Sequence, residues 1–214
     1  MITSIIIQGI PRTGTTVMLD LFRHSSWIGN VYPENPGPEG LADLPGSWVW
    51  KRPVHCLESE RLRDLCPFAA FIFMTRNLRD CLVSWHYYPE PKKNLLMPPG
   101  YNGVKGYIKL WKDYMQWVNI HASCYGKVIR LEDLILKKDE TARSILAWLN
   151  IPYEQGIKDF VRDYISNEKV DGYPYGARSS PAKKVNGWKD EPAIMARYSG
   201  DLDHVDNAHT AETA

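Results

Sequence analysis

A three-layer α/β/α fold around a central parallel sheet of four to five strands is predicted by three features of this 214-residue chain. The first is a β-branched run, Ile5-Ile6-Ile7, that feeds directly into Gln8-Gly9-Ile10-Pro11-Arg12-Thr13-Gly14-Thr15-Thr16, a glycine-bearing turn opening a helix. The second is a set of short, almost wholly apolar segments, the pattern of strands covered on both faces. The third is the regular alternation of those segments with stretches of helical period, the mark of parallel strands joined by crossovers.

Residues 3–9 form the first strand, and Val17, Met18, Leu21 and Phe22 fall at helical spacing behind it. Residues 30–46 hold four prolines and three glycines, so an irregular excursion is expected there, long enough to touch a substrate. Ser47–Lys51 reads as the second strand, ended by Pro53, and Cys56–Leu65 as a short helix. Ala69–Thr75 (AAFIFMT) is the third strand, and Asn77 caps the helix that runs to about Tyr87. Val104, Ile108, Trp111, Met115, Val118 and Ala122 mark one face of a long helix. Lys127–Leu131 is a fourth strand. Asp139 is read as the cap of a helix with Ala142, Ile145, Leu146 and Leu149 inward, and Tyr153–Ile165 as another helix. One domain is expected over 1–198, with 199–214 a frayed tail that offers nothing to a core.

Composition narrows the function classes. Lysine plus arginine total 26 against 25 acids, so no bulk field draws the chain to nucleic acid or an anionic membrane. Any anion site is local. The four cysteines have neither C-x-x-C spacing nor histidines at zinc-ligand distances, and read as reduced core thiols. The turn is reached within ten residues of Met1, with no leader pattern before it, and no apolar stretch approaches the ~18–20 residues that span a bilayer. A soluble, cytoplasmic protein is the expectation, and the sequence carries no signature of a particular oligomeric state.

The turn is a phosphate-binding loop without its lysine. In G-x-x-x-x-G-K-[ST] the lysine reaches the β/γ-phosphates of a nucleotide. Gly9, Gly14 and Thr16 keep that spacing, but Thr15 stands at the lysine position and the cation has moved to Arg12. Backbone amides near Thr13, Gly14, Thr15 and Thr16 and the dipole of the following helix still favour an anion. That anion is not the γ-phosphate of an NTP.

Two more segments extend the pattern. Arg76 closes the third strand in Arg76-Asn77-Leu78-Arg79-Asp80-Cys81-Leu82-Val83-Ser84, where ligands bind in open parallel sheets, and Ser84 returns two helical turns later to the same side. A guanidinium fork and a hydroxyl then converge on one phosphate. Arg79 and Asp80 read as a solvated charge pair. After the fourth strand comes Leu131-Glu132-Asp133-Leu134, whose two acids read as caps of the next turn.

Together these motifs resemble the sulfotransferase family that uses 3′-phosphoadenosine 5′-phosphosulfate. PRTGTT is similar to that family's P-[KR]-[ST]-G-T-T loop, the Arg76/Ser84 segment to its 3′-phosphate site, and Leu131–Leu134 to its Y-E-D-[LM] element, with leucine in place of tyrosine. Asn186-Gly187-Trp188-Lys189 resembles the end of the last nucleotide-binding loop, whose 3′-phosphate contacts would come here from Arg178, Lys183 and Lys184. Val17 replaces a tryptophan that stacks on adenine in some members.

The resemblance implies sulfuryl transfer to a hydroxyl or amine of a small molecule or glycan, with no metal required. Arg12 would neutralise the leaving phosphate oxygen, Thr15 and Thr16 would bind the 5′-phosphate, and Lys51 would stabilise the transferring group. Two residues are candidates for the base: His55, behind the second strand and the one favoured, and Glu34, in the excursion. A P-loop small-molecule or nucleoside kinase and a non-catalytic nucleotide-binding module are the alternatives.

Overall fold

The computed structural model describes residues 4–89, 93, 95–163 and 185–202. Strands β1 (Ser4–Gln8), β2 (Asn30–Tyr32), β3 (Trp48–Lys51), β4 (Ala70–Thr75) and β5 (Gly126–Arg130) form one sheet in the order β2-β3-β1-β4-β5. Every neighbouring pair is parallel. Around it lie α1 (Thr15–Arg23), α2 (Ser59–Leu65), α3 (Leu78–His86), α4 (Gly103–Tyr125), α5 (Leu131–Leu136), α6 (Lys138–Leu149), α7 (Gln155–Asp163) and α8 (Pro192–Leu202).

The period-2 alternation of strand side chains divides the apolar residues between two cores. Ile6, Trp48, Trp50, Phe71 and Phe73 face α2, α3, α4 and α8, while Ile5, Ile7, Val49, Ile72 and Met74 face α1, α5, α6 and α7. The three expected layers are therefore present, each sheet face buried under helices. Among the described residues no helix is long and apolar enough to cross a membrane.

Several elements depart from the sequence reading. Asn30–Tyr32, placed in an irregular excursion, forms the edge strand β2 on the outer side of β3. Leu131 begins α5 instead of ending a strand, so β5 passes straight into a helix. Asp139 lies in the first turn of α6 without capping it; it accepts from Tyr153 Oη and Arg143 Nε, both at 2.6 Å. Cys56, Cys66 and Cys81 are buried, whereas Cys124 is exposed. Helix α8 runs across the expected 198/199 boundary, with Leu202 buried in the core, and residues 203–214 lie outside the described part.

β1 has its successor β2 on one side, beyond β3, and β4 on the other, the reversal of strand order at which open parallel sheets bind ligands. Ile7 is level with Lys51 of β3, and Gln8 with Phe73 of β4. The 9–14 turn, the chain after Lys51 and Arg76 thus leave the sheet along one edge.

Candidate active site

The turn after β1 is wound tightly enough to demand its glycines. A Cβ on Gly9 would lie 2.5 Å from Thr13 Oγ1 and 3.0 Å from the Met74 carbonyl, and one on Gly14 (φ +92°) would lie 2.6 Å from Leu131 Cδ1. Leu131, at the position of the family's tyrosine, is therefore a packing wall for the turn. Thr13 braces the loop from within, its amide and hydroxyl both donating to the Ile10 carbonyl, at 3.3 and 2.7 Å. Thr15 and Thr16 open α1, whose first amides have no intrahelical acceptor.

Arg12 has φ +77°, a left-handed conformation that non-glycine residues avoid and that surrounding contacts must hold in place. Those contacts are supplied by the other sequence-predicted anion residues. Arg12 Nε donates to Ser84 Oγ at 2.8 Å, and Arg76 Nη1 donates to the Arg12 carbonyl at 3.0 Å. The Arg12 guanidinium also stacks over the Tyr88 ring at 4.9 Å. Burial lowers the Arg12 pKa from its ordinary value, and the like charge of Arg76 pushes the same way. Two guanidinium groups and a hydroxyl thus meet beside the N-terminus of α1, a concentration of positive charge suited to a polyanion.

The opposite wall is supplied by α4, a contribution sequence reading missed. Tyr107, Trp111 and Tyr114 recur at i, i+4 and i+7, and their polar tips donate to the carbonyls of Pro11 (2.5 Å), Arg76 (3.0 Å) and Gln8 (3.3 Å). The helical period itself was legible. That the rings end in hydrogen bonds to both strand ends was not.

On the β3 side, Lys51 is buried and its Nζ donates to Glu34 Oε1 at 3.0 Å. The Glu34 side chain is 45% exposed. His55 follows in a 3₁₀ turn, Pro53–His55, where its Nδ1 is 2.6 Å from Glu58 Oε1. Its Nε2 is buried and has no hydrogen-bond partner among the described residues. The two base candidates therefore differ in reach: one oxygen pair opens to solvent, while the imidazole is tied to Glu58 and closed in. Gln8, unremarked in the sequence, is 2% exposed and joins this corner to β1, donating to the His55 carbonyl (3.0 Å) and accepting from Ser59 Oγ (2.5 Å).

Asp80 and Glu132 need correction. Asp80 is 1% exposed, so it is no solvated charge; its Oδ2 accepts from the Asn186 amide (2.9 Å) and its Oδ1 from the Trp188 amide (3.3 Å). Burial raises its pKa, against the opposing pull of Arg76 and those two amides. Arg79 covers the Trp188 ring at 4.6 Å. Glu132 does not cap its own turn: Oε1 accepts from the Asn77 amide at 2.8 Å, tying α5 to the start of α3. Asn77 itself caps α3 as expected, accepting from the Arg79 and Asp80 amides. Arg178, Lys183 and Lys184 lie outside the described residues.

Comparison with known proteins bears on the fold and the family. Among solved structures, the sulfotransferase domain from the curacin biosynthetic pathway superposes with a TM-score of 0.62 at 14% identity, covering 93% of this chain and 98% of that one. Mouse sulfotransferase SULT7A1, complexed with PAP, gives 0.55 at 15% identity over 97% of this chain and 87% of its own. Sulfotransferase STF9 from Mycobacterium avium gives 0.54 at 14% over 94% and 77%. These likenesses establish the fold. No curated protein matches the sequence. The profile described as "Sulfotransferase family" matches residues 23–155, more than half of the chain and a span that begins after the PRTGTT loop, so loop and profile are independent observations. With both in hand, the chain belongs to the sulfotransferase family, enzymes that move a sulfuryl group to an acceptor.

Proposed function

We propose that the sulfuryl donor is 3′-phosphoadenosine 5′-phosphosulfate and that the acceptor is a hydroxyl or amine of a small molecule or glycan. The observation that carries this reading is the meeting of Arg12, Arg76 and Ser84 beside the open amides of α1. A donor with phosphate at both its 3′ and 5′ positions needs two anion sites within one nucleotide's length. Arg76 and Ser84 serve the 3′-phosphate. The amides and hydroxyls of Thr15 and Thr16, with the Gly14 turn, serve the 5′-phosphosulfate, and Thr13 holds the turn in shape. Lys183 and Lys184 add cations from the segment before Val185.

In the transfer, a lone pair of the acceptor attacks sulfur while the bond from sulfur to the 5′-phosphate oxygen breaks. Arg12 meets the charge that grows on that leaving oxygen. Lys51 is drawn from Glu34 to the sulfuryl oxygens, which frees the Glu34 carboxylate to take the acceptor's proton. Glu34 is preferred to His55 as base because a base must reach its proton. The only imidazole nitrogen of His55 not turned to Glu58 is enclosed.

Calorimetric titration with adenosine 3′,5′-bisphosphate tests the reading. Micromolar or tighter binding is expected, weakened at least a hundredfold by Arg12→Ala or Arg76→Ala; absence of binding by the unaltered chain would overturn it.

A further inference from the structure

From Asp80 we infer a second task for α3: this residue is the positioning residue that docks the Asn186–Trp188 segment onto the donor site, so that donor affinity depends on a carboxylate that touches no donor atom. The inference rests on the donor reading given above.

The geometry is that of a backbone nest around an anion. Asn186 adopts φ +62°, which turns the chain so that its own amide and that of Trp188 point at the two oxygens of one carboxylate. Charge-assisted bonds of this kind are about twice as strong as neutral ones, and Asp80, 1% exposed, is largely shielded from water that would compete for them. Arg79, one position earlier, covers the Trp188 indole from outside. At the end of α3 His86 Nδ1 is 3.0 Å from Tyr198 Oη, and just after it Tyr87 Oη donates to Glu191 Oε1 at 3.0 Å. Helix α3 and the residue that caps its end therefore fasten the stretch from Asn186 to α8 at four places.

The same helix carries the donor-side residue Ser84, one turn after Asp80 and on the same side. Arg76, immediately before α3, lies close enough to Asp80 to oppose the rise in its pKa. Arg12 and Arg76 repel each other, and the Asp80 carboxylate attracts Arg76. Asp80 thus faces two ways. It sets the position of the Asn186–Trp188 segment, and its charge acts on Arg76, the guanidinium assigned to the 3′-phosphate.

The test uses Asp80→Ala, Asp80→Asn and Arg79→Ala in the full chain. Titration with adenosine 3′,5′-bisphosphate is expected to show affinity reduced at least tenfold in Asp80→Ala, less in Asp80→Asn, which keeps one acceptor, and about threefold in Arg79→Ala. In turnover assays the donor KM rises in the same order while kcat at saturating donor stays within about threefold. A purely structural role would instead lower melting temperature and active fraction with KM unchanged. Should Asp80→Ala not fold, the other two decide. The inference is overturned if both Asp80→Asn and Arg79→Ala bind the bisphosphate within twofold of the parent. A parent that does not bind it at all refutes the donor reading itself, a distinguishable result.

Discussion

The guanidinium of Arg76 donates to the carbonyl of Arg12 across 64 positions of sequence, so the residue that closes β4 holds the backbone of the turn that follows β1. A lysine at 76 would keep the charge but lose the planar fork that reaches a carbonyl and a phosphate together. Arg76→Lys is therefore expected to weaken bisphosphate binding at least tenfold by calorimetry. Affinity equal to the parent's would show that charge alone suffices at this position.

Tyr107 makes the complementary contact from the other wall, a 2.5 Å bond to the Pro11 carbonyl, with its ring stacked on Trp85 at 4.7 Å. Tyr107→Phe keeps the ring and orphans a buried acceptor, which costs about 1–3 kcal/mol. For a chain of this size each kcal/mol moves the melting temperature by about 2–4 °C. A fall of roughly 2–12 °C is expected by differential scanning calorimetry. Tyr114→Phe, whose bond to the Gln8 carbonyl is longer at 3.3 Å, should cost less. An unchanged melting temperature for Tyr107→Phe would mean the Pro11 carbonyl is satisfied without it.

The pairing of Lys51 with Glu34 separates binding from chemistry. Glu34→Gln retains the shape and loses the proton acceptor, so kcat should fall by about 10²–10⁴ with bisphosphate affinity nearly unchanged. His55→Gln should keep most activity and lose stability through its link to Glu58. If initial rates show the reverse, with His55→Gln inactive and Glu34→Gln active, the imidazole is the base.

What could be read in the sequence follows the range of the interactions involved. Gly9, Gly14, Arg12, Arg76 and Ser84 were legible because each sits at a fixed offset from a strand end, and strand ends follow from local apolar runs. Asp80 was misread because the amides that bury it are 106 and 108 positions away, and nothing near Asp80 signals them. Tyr107 and Tyr114 escaped for the same reason, their acceptors being 96 and 106 positions distant. β2 was hidden by its neighbours: three residues at the sheet edge carry too little apolar alternation to stand out from a proline-rich stretch. Glu132 looked like a local cap because its sequence neighbours allow one, whereas the amide it accepts from belongs to Asn77 on the adjacent strand's exit.

The buried acids of the core set the response to alkali. Burial pushes the Cys81 thiol up to about 12 and raises those of Cys56 and Cys66, and it lifts the Tyr107 and Tyr114 phenols well above their ordinary values. All these pKa values are higher in the folded chain than in the unfolded one, so the native state keeps protons that the unfolded state releases. Stability is therefore fully present below the ordinary thiol value and declines as pH rises through the interval up to the folded values. One pH unit above its ordinary value, each strongly shifted thiol withdraws on the order of 1 kcal/mol, so Cys56 and Cys81 act together in the same direction. The urea midpoint is expected to drop markedly between pH 7.5 and pH 10, and Cys81→Ala to remove part of that slope. Alkylation of the native protein at pH 8 should mark Cys124, the exposed thiol, and spare Cys56 and Cys81. A midpoint independent of pH, or rapid labelling of Cys81 beside the Arg12 carbonyl, would show that the loop over it opens far more readily than its hydrogen bonds allow.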